Sequence, residues 1–136
     1  MPATFPLDIV TPDRTVFTDN VTSLRLPAVD GSLGILAGHA PMLAEMGVGE
    51  CVIRLDDGGE ERLAVAGGFV EVSRERVTLL ADTAEFAAEI DATRAEAALT
   101  KAREMLSHLD ATQDPEEVAA ALCRAQNRLK IARGEH

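Results

Sequence analysis

Three histidines and two cysteines are the side chains best suited to chemistry in this sequence, but their spacing keeps them apart. His39, His108 and His136 lie in three separate regions, and neither Cys51 nor Cys123 has a histidine near it. A zinc site needs such ligands at short, regular intervals, so the sequence predicts no metal site. The apolar surroundings of the two cysteines predict buried thiols in a reducing cytoplasm.

A serine, a histidine and an aspartate also occur close together, as Ser32, His39 and Asp30. A hydrolytic serine normally sits in a sharp strand-to-helix turn flanked by glycines, and no such turn surrounds Ser32. We therefore expect no catalytic residues and a chain that is not itself an enzyme.

The stretch "GSLGILAGHAP" (31–41) is dense in glycine, with Gly31, Gly34 and Gly38. Their spacing fits neither a P-loop nor a dinucleotide fingerprint, which excludes a phosphate cradle. Two interpretations remain. Either a ligand or partner approaches the bare backbone closely, or Gly31 and Gly34 make tight turns around a short strand while His39 and Pro41 fix the next loop.

The composition narrows the class of partner. The 136 residues carry a formal net charge of −10 and contain four Phe but no Trp or Tyr, which argues against nucleic acid. We expect no secretory leader and no membrane span, so any membrane association would come through a partner.

The first part of the chain has the pattern of short strands. "VTSLRLP" alternates with a period of two, "DDGGEE" predicts a hairpin turn with positive φ at Gly58 and Gly59, and "RLAVA", "FVEVS" and "RVTLLA" follow. This predicts an antiparallel β-sandwich or flattened barrel of eight to ten strands over residues 1–84.

The second part has helical periodicity. Two apolar stripes recur at spacings of 4, 3, 4 and 3: Ala95, Leu99, Ala102, Leu106 and Leu109, then Val118, Leu122, Ala125, Leu129 and Ala132. "DPEE" predicts Asp114 as N-cap, Pro115 at N1 and a capping box closed by Glu117. We expect an α+β chain that ends in an antiparallel αα-hairpin over residues 85–136. Its alanine-rich seam predicts a weakly held, movable element.

Motifs along nearly the whole chain carry a family resemblance. "DGSLGILAGHAPMLAEMGVGECVIR" (30–54), "LAVAGGFVEVSRERVTLLAD" (63–82), "IDATRA" (90–95) and "LDIVTPDRTVF" near the start occur in order. Together they closely resemble the epsilon subunit of F-type ATP synthases. The resemblance implies a non-catalytic central-stalk subunit on the cytoplasmic face of the bacterial cell membrane. The competing interpretation is an unrelated β-sandwich adaptor or ligand-binding module.

For the sandwich, the resemblance implies contacts with the gamma subunit and with the loops of the membrane c-ring. The residues implied are Gly31, Ser32, Leu33, Gly34, His39, Ala40 and Pro41. Two positions depart from the family pattern: Ala37 replaces a usual proline, and Ser32 stands where some relatives carry an acidic residue.

For the hairpin, the resemblance implies that it blocks ATP hydrolysis by extending into the catalytic alpha/beta hexamer. The basic end of the chain supplies cations for acidic segments there: Arg124, Arg128, Lys130 and Arg133. The other interpretation is that these cations only favour a helix C-terminus through its dipole. No cofactor is required, but ATP is implied as a candidate regulatory ligand. The positions that match ATP-binding members are Glu85, Ile90, Asp91, Arg94, Arg124 and Arg128. Lys101 replaces a family arginine there, which keeps the charge but loses the bidentate fork.

Overall fold

A computed structural model describes residues 3–134, which form two compact units divided between Phe86 and Ala87. The first unit contains only strands, and the second contains a 3₁₀ turn at Ala87–Glu89 and two helices. The elements are β1 (Phe5–Val10), β2 (Thr15–Ala28), β3 (Gly31–Leu36), β4 (Met42–Glu45), β5 (Val48–Leu55), β6 (Glu60–Val72), β7 (Val77–Phe86), α1 (Ala92–Ser107) and α2 (Pro115–Ala132).

The strands form one sheet that closes on itself around an apolar core. The strand order is β1-β7-β6-β5-β2-β3, β4 pairs with β6, and a further β1–β2 pairing closes the sheet. Every pairing is antiparallel except β1–β7, which is parallel. Alternate residues such as Leu7, Ile9 and Leu79 point into the core and are fully buried. The predicted sandwich, with its flattened-barrel closure, is confirmed.

The described part of the chain contains seven strands rather than eight to ten, because two strands are long and change partner along their length. Residues 15–21 of β2 pair with β1, whereas residues 23–28 pair with β3. In β6, residues 60–66 pair with β5 and residues 69–72 with β4. The sequence pattern predicts two short strands where the structure has one long strand.

A glycine pair in β6 marks the tightest backbone packing of the sandwich. Gly68 has φ +102, and a Cβ at this position would overlap the Leu80 carbonyl oxygen of the neighbouring strand. The preceding Gly67 also has positive φ, at +70. Only glycine fits at position 68, between β6 and the Leu80 carbonyl of β7, without displacing the backbone. In the predicted "DDGGEE" turn, by contrast, Gly58 has φ +88, and Gly59 does not have positive φ.

The second unit is the predicted antiparallel αα-hairpin. Arg133 near the end of α2 lies 3.6 Å from Glu96 in the second turn of α1. The seam buries Ala95, Leu99 and Ala102 of α1 against Val118, Ala125 and Leu129 of α2. Ile131 is also buried, but it lies about 200° around α2 from Leu129 and therefore off the seam. The predicted stripe is too long, because Leu106 is 38% exposed and α1 ends before Leu109.

The caps of both helices are aspartates. Asp91 Oδ1 accepts a hydrogen bond from the Arg94 amide at 3.1 Å. Asp114 Oδ1 accepts from the Glu116 amide at 3.0 Å, with Pro115 next to it as predicted. The predicted capping box is not observed between Asp114 and Glu117 in the described residues, because the cap bonds to the second helical amide instead of the third.

Candidate functional site

The glycine-rich stretch forms β3 and the loop after it. Gly31 has φ +129 and follows the turn at Val29–Asp30, so the turn interpretation holds for this residue. Gly34 lies inside the strand without positive φ, so its predicted turn is wrong. A Cβ at either glycine would meet nothing within 4 Å. Within the described chain, the backbone here is therefore open to an approaching molecule.

The loop of residues 37–41 is held by its own histidine. The His39 amide donates to the Leu36 carbonyl at 3.1 Å, and its Nδ1 lies 2.8 Å from the Ala40 carbonyl oxygen. Since a carbonyl only accepts, Nδ1 carries the proton and Nε2 is left as an acceptor in the neutral ring. The loop borders a depression of about 420 Å³ whose other wall is the Val72–Val77 turn.

The same geometry separates the candidate hydrolytic residues. Ser32 and Asp30 lie at the start of β3, and His39 lies beyond its other end. Four strand residues at about 3.3 Å each separate Ser32 from Leu36 by about 13 Å. The structure does not bring these three side chains together.

An exposed apolar strip on the outer sandwich face escaped the sequence analysis. It comprises Phe69 and Leu80, which are 49% and 51% exposed, and Leu43, which is 68% exposed. Leu43 lies opposite Glu71 and therefore diagonally across from Phe69. Phe69 lies directly opposite Leu80 on β7, and Leu80 lies opposite the half-buried Val10 on β1. Exposed apolar residues clustered in this way mark interaction surfaces.

A signal for part of this strip was present in the sequence. In "GGFVEV", the period of two places Val70 and Val72 on one face, and Phe69 must therefore occupy the other. The structure buries both valines in the core. The strand register, which brings Phe69 beside Leu80, has no such local signal.

The residues of the predicted nucleotide site occupy both units. Glu85 lies on β7 and is half-buried. In the hairpin, Ile90 precedes α1 and is buried, Asp91 caps α1, and Arg94 is exposed in its first turn. The ion pair between Glu96 and Arg133 shows that this end of α1 lies beside the end of α2.

The four cations predicted to contact the hexamer, three in α2 and Arg133 at its C-cap, fall into two pairs. At about 100° per residue, Arg124 and Arg128 are about 40° apart and lie on one flank of the apolar seam. Lys130 and Arg133 lie on the opposite flank, about 60° apart. Arg124, Lys130 and Arg133 are exposed, and Arg128 is half-buried. A single flat partner surface would therefore contact one pair at a time.

The two cysteines differ, contrary to the prediction that both are buried. Cys51 on β5 is fully buried, and this burial raises the pKa of its thiol to about 12. Cys123 is exposed on α2, outside the buried stripe.

Across residues 3–134 we find no cluster of three or more His, Cys, Asp or Glu side chains arranged to hold a metal ion. None of the helices described there is both long and apolar enough to cross a bilayer.

Fold and surface together define a class of protein: a closed β-sandwich followed by a weakly seamed αα-hairpin, with an apolar outer strip. A family model described as "ATP synthase, Delta/Epsilon chain, beta-sandwich domain" matches residues 4–87. A second, described as "ATP synthase, Delta/Epsilon chain, long alpha-helix domain", matches residues 88–133. The chain belongs to the ATP synthase delta/epsilon chain family.

Curated relatives match over almost their full length. The ATP synthase epsilon chain of Symbiobacterium thermophilum is 47% identical, with 96% of this chain and 94% of the relative covered. That of Solibacter usitatus is 41% identical, with 97% and 98% covered. The Bacillus pumilus epsilon chain is 44% identical, with 95% and 97% covered. The chain is therefore an epsilon-type member of the family.

Solved structures share the fold at low sequence identity. A chain of the Euglena gracilis mitochondrial ATP synthase, OSCP/F1/c-ring in rotational state 1, superposes with a TM-score of 0.80 at 22% identity, covering 93% of this chain and 80% of that one. A chain of the Tetrahymena thermophila central stalk/c-ring structure gives 0.65 at 13% identity, with 96% and 98% covered. Both support the architecture.

Proposed function

We propose that this chain is a non-catalytic rotor subunit of a bacterial F-type ATP synthase. In this proposal the sandwich links the gamma subunit to the c-ring, and the hairpin restrains ATP hydrolysis. The chain would lie on the cytoplasmic face of the cell membrane, attached only through the complex. The observation that carries the proposal is the pair of family matches, which cover both units in order.

The apolar strip supports a docking role for the sandwich. Leu43, Phe69 and Leu80 are among the most exposed large apolar side chains of the sandwich. Covering one such side chain contributes about 1.5–3 kcal/mol when burial is complete. Glu45, directly opposite Phe69 on β4, supplies a polar rim. We assign the gamma contact to this strip together with His39, Ala40 and Pro41, and the c-ring contact to Gly31, Ser32, Leu33 and Gly34.

A charged substitution in the strip tests this docking. Leu80→Asp should reduce retention of the chain in its own purified synthase at least about tenfold, because a carboxylate would be buried against an apolar partner. Leu106→Asp is the matched control, since Leu106 is an exposed leucine on the hairpin. Equal retention of both variants would contradict docking through the strip.

The restraint on hydrolysis is assigned to the cations of α2. Arg124, Arg128, Lys130 and Arg133 could pair with acidic segments of the catalytic alpha/beta hexamer. The alanine-rich seam supports such a role, because a weakly held hairpin can exchange its contacts for others of similar strength. Replacing all four cations with alanine should raise ATP hydrolysis without loss of assembly. Unchanged hydrolysis with normal assembly would contradict the assignment.

ATP is the proposed regulatory ligand of the hairpin. Arg94, Arg124 and Arg128 supply three guanidinium groups, which suit the phosphates of a nucleoside triphosphate. The Asp91 carboxylate only accepts hydrogen bonds and so suits hydroxyl or amino groups of the ligand. Ile90 completes the proposed set within the hairpin. Calorimetry of the full chain should show heat with ATP that Arg124→Ala removes and Arg103→Ala retains. Absence of heat at millimolar ATP would end the idea.

A further inference from the structure

The outer edge of β3 is an unprotected sheet edge. β3 lies at the end of the strand order and pairs only with β2 among the described strands. Its sequence "GSLGIL" contains no charge and no proline, and its register with β2 shows no bulge. Exposed edge strands normally carry a charge, a proline or a bulge, because each of these prevents pairing with another chain.

Backbone groups of this edge point outward. Ser32 lies opposite Pro27, whose carbonyl accepts from the Gly47 amide at 3.0 Å on the other side of β2. Since the N–H and C=O of a strand residue point the same way, Pro27 and Ser32 form a non-hydrogen-bonded pair. The amide and carbonyl of Ser32 therefore face away from β2. By the strand repeat, so do those of Gly34.

Arg25 lies on β2, one strand inward from this edge. Arg25 on β2 lies opposite Gly34, so both occupy the same face of the sheet. Gly34 has no side chain, and nothing lies within 4 Å of the position its Cβ would take. The extended Arg25 side chain can thus cross one strand spacing, about 4.8 Å, to the free edge.

Arg25 differs from its arginine neighbours on this face. Arg62 pairs with Glu50 and Glu60 at 2.6 and 2.7 Å, and Arg54 lies 3.6 Å from Glu60. Arg25 is exposed and has no ion-pair partner among residues 3–134. These residues line a groove of about 380 Å³ that Gly34 and Leu36 border along β3. Leu36 is 65% exposed.

We propose that an extended segment of a partner protein adds to β3 as a further strand. It would exchange hydrogen bonds with the main chain of Ser32 and Gly34, place a carboxylate opposite Gly34 to pair with Arg25, and place an apolar side chain beside Leu36. This inference rests on the proposed function in one respect: the partner segment belongs to the assembled synthase.

A second copy of this chain fits the edge poorly. Antiparallel pairing of two β3 strands would bring both Arg25 side chains onto one face of a continuous sheet. Two chains of net charge −10 would also repel each other. A partner segment that carries a carboxylate meets the unpaired Arg25 instead.

Amide hydrogen exchange in the free chain and in its rebuilt synthase tests the added strand. The Ser32 and Gly34 amides should exchange at least about a hundredfold more slowly after assembly, because both gain strand hydrogen bonds. An assembled chain in which they exchange as fast as in the free chain overturns this inference. The gamma contact of the apolar strip and the restraint by the hairpin involve neither Ser32 nor Gly34 and would stand. A chain that does not enter the complex overturns both.

Two substitutions make the test specific. Gly34→Pro removes only an outward amide and should abolish the protection at Ser32, with folding verified by urea unfolding. Arg25→Glu should weaken retention at least about tenfold, whereas the exposed Arg103→Glu on α1 should change it less than about twofold. Equal effects of the two charge reversals would overturn the carboxylate contact. Dimers of the free chain that Gly34→Pro dissociates would overturn the choice of occupant.

Discussion

Gly68 is the glycine of the sandwich at which an added side chain would meet the closest backbone atom. Its φ of +102 and the Leu80 carbonyl oxygen beside it leave no space for a Cβ. Gly68→Ala should lower the free energy of unfolding by about 2 kcal/mol or more, since backbone strain and overlap act together. Gly34→Ala, with open space and no positive φ, should change it by less than about 0.5 kcal/mol. Urea unfolding of the two variants measures the difference.

Cys51 and Cys123 should differ in reactivity by orders of magnitude. Burial holds the pKa of the Cys51 thiol at about 12, so almost no thiolate forms at pH 8, and the core shields the sulfur. Titration of the native chain with a disulfide reagent should therefore find one fast thiol. Cys123→Ser should remove it, and denaturation should reveal Cys51. Fast reaction of Cys51 in the folded Cys123→Ser variant would contradict the packing of β5.

Local pattern predicted some residue environments and missed others. Asp114 was correctly assigned as a cap, because a cap depends on the few residues that follow it. Cys123 was expected to be buried because its neighbours are apolar. Its position one residue past Leu122 rotates it out of the seam. Leu106 fits the stripe by spacing, yet α1 ends one residue later and leaves it exposed.

Among the elements, the hairpin should open before the sandwich unfolds. Its seam buries three alanines, Ala95, Ala102 and Ala125, together with few larger side chains. The sandwich core contains many leucine, isoleucine and valine side chains at or near zero exposure. Native-state hydrogen exchange should therefore give lower opening free energies for α1 and α2 than for β5 and β6. Equal values would show that the hairpin is not a separate, weaker unit.

The start of α2 depends on one carboxylate. Asp114→Ala removes the acceptor for the Glu116 amide and should lower the opening free energy of α2 by about 1 kcal/mol. Asp114→Ser supplies another acceptor and should restore most of the loss. Exchange of the α2 amides measures both variants. No change in Asp114→Ala would mean that the cap contributes nothing to the hairpin.

At the element scale, the sequence predicted types well and counts less well. Periods of two and of 3.6 residues are local, so sandwich strands and helices were separable near Ala84. The long strands β2 and β6 each change their pairing partner along one edge, at Val21–Ser23 and near Gly67–Phe69, so each takes the place of two predicted strands. That change is a tertiary property with no local period.

For the whole molecule, surfaces depend on register more than on motifs. Phe69, Leu80 and Val10 come from three strands, and only the pairing of β1, β6 and β7 brings them into one row. Arg25 and Gly34 meet by the same kind of register. A single sequence shows each of these residues but not the strand register that brings them side by side. The candidate interface was therefore reached first through resemblance of the glycine-rich stretch, and its apolar part only through the structure.

The proposed function gives the sandwich the docking role and the hairpin the restraint on hydrolysis. Its most direct test is a synthase rebuilt with a chain that ends at Glu89, in which ATP hydrolysis and ATP-driven proton pumping are measured together. Hydrolysis should be faster with unchanged pumping per ATP, because the sandwich, to which the coupling role is assigned, is intact. Unchanged hydrolysis in a fully assembled complex would contradict the role assigned to the hairpin.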